Sequence, residues 1–277
     1  MTASTDNQSA SADLAEATAN PPCHNCQGAC CRSYIVPVTG YDVWRISTSQ
    51  RLAPESYLIA GHQREETSEG FLLEPEGRPF FLALDKKGRF NRYQPCIFLM
   101  GLAGGQYRCG IYSDRPSTCR VYPMTIRKGE MDLSVHAICP PGSWSRREIE
   151  RPTWRKAVKR TYIESDLYTE VVARWNARVA HSPGQSFTLS EYLSYLMNAH
   201  GSLMRLEEEF GEAEMVRVEA TWPTPPRVAV NLDEMVICRG DLPWLDFLVR
   251  ARAEIDRFYP EIPPQPIIVP IPSEAPS

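Results

Sequence analysis

The sequence predicts an α+β protein in which a small cysteine-rich domain built on β-hairpins is followed by a mainly α-helical region. Three observations predict it. Eight of the nine cysteines lie between Cys23 and Cys139. Apolar, aromatic-rich runs separated by turn signals fill residues 70–138, and from Trp154 onward the apolar residues recur at or near helical spacing.

The elements follow in order. Residues 1–20, MTASTDNQSASADLAEATAN, have the composition of a disordered tail. Pro21 and Pro22 lead into CHNCQGACC, residues 23–31. Thr39 with Asp42 three positions on caps a short helix through Trp44 and Ile46, and PESYLI at 54–59 reads as a second helix. HQREETSE at 62–69 is a polar loop. FLLEP, PFFLAL and YQPCIFLM read as strands, the last two separated by a DKKG turn. GLAGGQ at 101–106 folds IFLM back on YRCGIY as a hairpin, and Lys128-Gly129-Glu130 joins VYPMTIR to MDLSVHAI as another. The helical half opens with Trp154, Val158, Tyr162, Val171 and Trp175 and breaks at Ser182-Pro183-Gly184. Thr188 and Glu191 form a capping box for the next helix, with Leu189, Tyr192, Leu193, Leu196, Leu203 and Leu206 on its apolar side. A third starts at Asp241, carries Pro243 in its first turn and runs to about Phe258. The tail YPEIPPQPIIVPIPSEAPS reads as an extended polyproline strip. The expected domains are therefore a tail at 1–20, a cysteine-cluster domain at 21–145, a helical domain at 146–259 and a Pro-rich tail at 260–277.

With 277 residues and 43% hydrophobic content the chain can build an ordinary core. Thirty basic against 34 acidic residues give a net charge of −4, so no global basic field draws in nucleic acid. No run approaches the roughly 20 apolar residues of a membrane span. The start has neither a basic segment nor an apolar run, which argues against a secretory signal and for the cytoplasm. There thiols stay reduced, so a dense cysteine cluster points to metal rather than disulfides.

The spacing is C-x2-C-x3-C-C at Cys23, Cys26, Cys30 and Cys31, followed by Cys96, Cys109, Cys119 and Cys139. Cys23 and Cys26 form a knuckle that aims two sulfurs at one ion, and Gly28 permits the positive φ such a loop takes. Ordinary structural zinc sites pair two knuckles; this chain has one, so its other ligands come from the hairpins. In extended backbone the adjacent Cys30 and Cys31 would point to opposite sides, which suggests two centres. Eight cysteines make two sets of four, suited to two zinc ions, two iron–sulfur clusters, or one of each. Such a domain is metal-stapled, because converging thiolates repel without cations.

CHNCQGACC, PCIFL, RCGIY and RPSTCR, in that order, resemble the YkgJ-type cysteine-cluster proteins, described as a zinc- or iron-chelating domain. The resemblance covers roughly residues 22–140. It implies metal binding through Cys23, Cys26, Cys30, Cys31, Cys96, Cys109 and Cys119, with Cys139 as an eighth ligand. A related branch is similar to the flagellin lysine N-methylases, associated with an iron–sulfur cluster. The spacing before the CC pair differs here, and the helical half has no Gly-rich strand-to-helix loop for a methyl donor.

Arg115 and Arg120 flank the third motif beside Asp114. They can hydrogen-bond thiolates or sulfides from outside the ligand set, or fix the turn at Pro116 by a salt bridge. His24 is expected to face solvent, because eight thiols already complete two tetrads. His136 stands three residues before Cys139. The basic residues Arg146, Arg147, Arg151, Arg155, Lys156, Lys159 and Arg160 read as a solvated face. Cys238 reads as a buried thiol. The leading reading is a metal-binding module, zinc or iron–sulfur, with the helical half open to a protein partner. The alternatives are a methylase-like enzyme dependent on an iron–sulfur cluster and a thiol redox sensor.

Overall fold

A computed structural model of the chain describes residues 27–63, 70–88, 94–105, 107–127, 130–139, 143–222, 227–230, 243–258 and 267–270. The expected tail at 1–20, Cys23, His24, Cys26 and Cys238 lie outside the described residues. The structure is α+β, with short antiparallel hairpins in its N-terminal half and long helices in its C-terminal half. The chain divides into two compact units, Met1–Gly61 with Leu82–Thr161, and His62–Phe81 with Tyr162–Ser277.

The first unit begins with α1 (Ala29–Ser33), entered through Gly28 at φ 72. A side chain at Gly28 would be strained by that φ and would also press on Leu99, 3.1 Å away. Next, α2 (Gly40–Gln50) starts at the expected cap: the Thr39 side chain accepts from the Asp42 N–H and the Asp42 carboxylate accepts from the Thr39 N–H. The helix expected at 54–59 is instead a single 3-10 turn, Pro54–Ser56, running into strand β1 (Leu58–His62). The buried Tyr57 explains the switch. Its hydroxyl donates to the Val43 carbonyl at 3.0 Å and meets the Ser47 hydroxyl at 2.8 Å, so the chain is pinned to α2. Strand β2 (Phe80–Leu84) pairs with β1. Its outer edge is covered by the segment after α1, where Val38 N–H donates to Leu82 and Leu84 N–H donates to Val36.

Both expected hairpins are present. Strands β3 (Leu99–Gly101) and β4 (Tyr107–Cys109) set Leu99 opposite Cys109. After α3 (Ser117–Val121) come β5 (Met124–Arg127) and β6 (Glu130–Leu133), with Met124 opposite Leu133. A one-turn α4 (Arg146–Ile149) is capped by Ser145 and Glu148, and α5 (Pro152–Ala180) begins on its proline. Trp154 packs edge-on against Trp144; Arg146, Arg147, Arg151, Arg155 and Lys156 are exposed, as a solvated face requires, whereas Lys159 and Arg160 of the same expected face are half-buried.

In the second unit α5 buries Ile163, Leu167, Val171, Trp175 and Val179, a stripe at helical spacing. Helix α6 (Leu189–Phe210) begins on the Thr188–Glu191 capping box and ends at Gly211, whose φ of 76 breaks the helix. It is followed by α7 (Glu212–Thr221), which packs with α6 and α8 (Pro243–Asp256). Between α7 and α8 lies β7 (Arg227–Val230), and β8 (Ile267–Pro270) pairs with it antiparallel, Val230 opposite Ile267. This part of the expected polyproline strip is thus a strand. Ile267, Ile268 and Val269 favour the ladder, and Pro270 falls at its last position, where a missing donor costs least.

FLLEP at 71–75 is not a strand beyond a single bridge from Phe71 to Phe80. Side chains hold it instead. Leu72 N–H donates to Asn176 Oδ1 at 2.8 Å, Asn176 Nδ2 donates to the Gly70 carbonyl at 2.7 Å, and Trp175 Nε1–H donates to the Leu72 carbonyl at 2.6 Å. Trp175 is 0% exposed, with the rings of Phe187, Tyr192 and Tyr195 each 5.3 Å away. Trp175→Ala is expected to destabilise this unit by about 3–5 kcal/mol through the lost packing. Trp175→Phe should cost about 1–3 kcal/mol, chiefly for the unpaired Leu72 carbonyl. Urea denaturation followed by far-ultraviolet circular dichroism measures both, and equal costs would show that the hydrogen bond dominates.

Candidate metal centre

Five of the expected ligands lie in the described N-terminal unit around one cavity. Cys30 and Cys31 are carried by α1, Cys96 by the loop before β3, Cys109 by the end of β4 and Cys119 by α3. All five line a cavity of about 280 Å³. The backbone explains the convergence. Cys96 N–H donates to the Cys31 carbonyl at 2.8 Å, which ties α1 to the loop, and Cys96 pairs with Lys86 in an isolated antiparallel bridge. Asp42, 1% exposed, uses its second carboxylate oxygen to accept from the Ser117 N–H at 2.8 Å and hydroxyl at 2.9 Å. That fixes the start of the helix bearing Cys119. The residue read from sequence as a helix cap therefore also positions a thiol.

The adjacent cysteines depart from expectation. Cys30 and Cys31 are helical rather than extended, so their side chains are about 100° apart around the helix instead of opposed. Both face the same cavity, and the two thiols hydrogen-bond each other. The backbone ground for assigning them to separate centres is thereby removed. Gly28 is the cause: its left-handed φ turns the chain into α1 directly before the pair.

The hydrogen bond with Cys31, then burial, holds the Cys30 thiol far above the ordinary range. Burial pushes Cys96, Cys109 and Cys119 up as well, Cys119 strongly. Each of these three feels the charge of Cys30, and Cys119 also feels Cys96 and Cys109. A bound cation reverses this preference, since thiols bind metal as thiolates. Arg115 lines the cavity, where it favours ionised Cys109 and Cys119; its Nε–H donates to the Tyr112 carbonyl and its guanidinium stacks 3.9 Å from the Tyr112 ring centroid. Arg120 instead reaches back to the Ser117 hydroxyl at 3.3 Å, and Asp114 accepts from Gln50 at 2.6 Å.

Cys139 does not appear on the cavity wall; it neighbours Tyr122. Its segment is fastened by two tyrosines. The Tyr34 hydroxyl donates to the His136 carbonyl, and Ile138 N–H donates to the Tyr122 hydroxyl at 2.7 Å. His136 borders the cavity.

Sequence reasoning missed Lys86, which it placed in the DKKG turn. The residue is 3% exposed, and its ammonium donates to the carbonyls of Cys31, at 3.1 Å, and Tyr34. Burial lowers its pKa, while the thiols of Cys96, Cys31, Cys30 and Cys119 act to raise it. Strand parity could not have found it, because Ala83 and Asp85 on the alternate positions are as buried as Leu82 and Leu84.

Among the described residues no three His, Cys, Asp or Glu groups close on the point where a single ion would sit. The six described cysteines are free of disulfides. Five thiols around one cavity, with cationic groups beside them, fit a thiophilic metal. No described helix is long and apolar enough to cross a membrane. No curated protein and no solved structure matches the chain. Residues 22–140, less than half of the chain, match one family model, described as "CxxCxxCC: Putative zinc- or iron-chelating domain".

Proposed function

We propose that the N-terminal unit holds a polynuclear thiolate centre, in its iron–sulfur form, through Cys30, Cys31, Cys96, Cys109 and Cys119, with Cys23 and Cys26 completing the set. One observation carries the reading: five thiols line one cavity of about 280 Å³. A thiolate-bound zinc ion leaves no such space, because its sulfurs stand about 2.3 Å from it. Water takes about 30 Å³ per molecule, so the cavity suits a group several times that size. Cys23 and Cys26 precede Gly28 by five and two residues, within chain reach of a cavity that Gly28 itself lines. When bound, such a centre supplies one-electron chemistry. The residues around it hold the sulfurs and place positive charge nearby.

The test is metal and acid-labile sulfide content, with a visible spectrum, on protein purified without oxygen. Iron and sulfide in matching amounts, with a broad thiolate-to-iron absorption, are the expected result. Zinc without sulfide would leave the chelating domain standing and refute the cluster. Protein that takes up neither metal would refute chelation itself.

A further inference from the structure

The charge at Lys86 gives the proposed centre a requirement of its own. An ammonium withdrawn from water is costly unless something anionic answers it. Lys86 is 3% exposed, and among the described residues no carboxylate forms an ion pair with it. The neighbouring Asp85 spends one carboxylate oxygen on the backbone N–H of Lys86, at 2.7 Å, rather than on the ammonium. Two carbonyls, of Cys31 and Tyr34, accept from the ammonium, and carbonyls carry no net charge. The ammonium stands instead on the Cys31 carbonyl, and the backbone of Lys86 pairs with that of Cys96, so the charge lies beside two of the thiol-bearing segments.

The placement is specific. The backbone of Lys86 pairs with that of Cys96, and its side chain ends on the Cys31 carbonyl that also accepts from Cys96 N–H. One residue thus touches the backbone of two ligand-bearing segments. Metal centres held only by thiolates carry net negative charge, since four thiolates outweigh a divalent cation. We propose that Lys86 is a positioning residue whose buried ammonium offsets the negative charge of an all-thiolate centre at this cavity, so that metal binding requires the charge as well as the tether. The inference rests on the metal reading above and narrows it to an anionic centre.

The test is cobalt(II) titration of the full chain, stripped of metal and kept without oxygen, read by the thiolate-to-cobalt charge-transfer band. Lys86→Met removes charge and donors. Lys86→Gln keeps an N–H donor for the carbonyls without the charge, and Lys86→Arg keeps the charge. The Met and Gln variants are expected to bind cobalt at least about tenfold more weakly than the wild type, while the Arg variant stays within about threefold. Wild-type affinity in Lys86→Gln would show that the tether suffices and overturn the proposal, as would wild-type affinity in Lys86→Met. Equal losses in all three variants, or a band lost even at saturating cobalt, would make Lys86 a packing residue and overturn it too. A wild-type chain that gives no thiolate band would instead refute the metal reading on which the proposal stands.

Discussion

Cys119→Ser is expected to remove most of the bound metal, whereas Cys139→Ser is expected to leave metal content and visible spectrum unchanged. Cys119 lines the cavity, is fixed through the Ser117–Asp42 contact, and feels the charges of Cys30, Cys96 and Cys109. A serine hydroxyl in its place keeps the volume but does not ionise at neutral pH, so a soft metal loses a ligand. Cys139 is not among the residues lining the cavity, though it neighbours Tyr122, which is. Elemental analysis of the two variants, purified side by side, decides the matter. Equal loss would bring Cys139 into the ligand set. Cys30→Ser and Cys31→Ser belong to the same experiment. Because both residues line one cavity, each should diminish the same spectral feature. If each removed a separate half of the metal, two centres would be required after all.

The sequence exposed those parts of the fold that depend on local chemistry. Thr39 with Asp42 and Thr188 with Glu191 were readable as capping boxes, because the pattern and the hydrogen bonds lie within one helical turn. GLAGGQ and Lys128-Gly129-Glu130 marked two hairpins, because each strand finds its partner a few residues away. What failed depended on distant partners. PESYLI looks helical until the Tyr57 hydroxyl is seen to reach Val43 and Ser47. FLLEP looks like a strand, yet it answers to Trp175 and Asn176, about a hundred residues on. The same division runs through the candidate centre. The cysteines declared themselves by type and spacing; that Cys30 and Cys31 share a cavity depends on one left-handed glycine. Lys86 was hidden because a Lys-Lys-Gly turn ordinarily faces water.

Acid should weaken the helical unit through a single buried histidine. His200, on α6, is 0% exposed, and its Nδ1–H donates to the Leu196 carbonyl at 2.9 Å. Burial pulls its pKa down from 6.5 to about 4, against a smaller upward pull from that carbonyl and from the charge of Glu164. In the unfolded chain the ring takes a proton as pH falls through 6.5, while in the folded unit it stays neutral until about 4. Over that window the unfolded state binds more protons, so stability must fall with pH. The contribution is fully present above pH 6.5 and is lost by about pH 4. At about 1.4 kcal/mol per pH unit it amounts to about 3 kcal/mol in all. His200→Asn keeps a donor near the Nδ1 position and cannot ionise. Urea midpoints measured by circular dichroism at both ends of the window should fall steeply for the wild type and distinctly less for the variant. Parallel slopes would show that the acid sensitivity comes from other groups, with Glu164, 2% exposed and electrostatically coupled to His200, the first to examine.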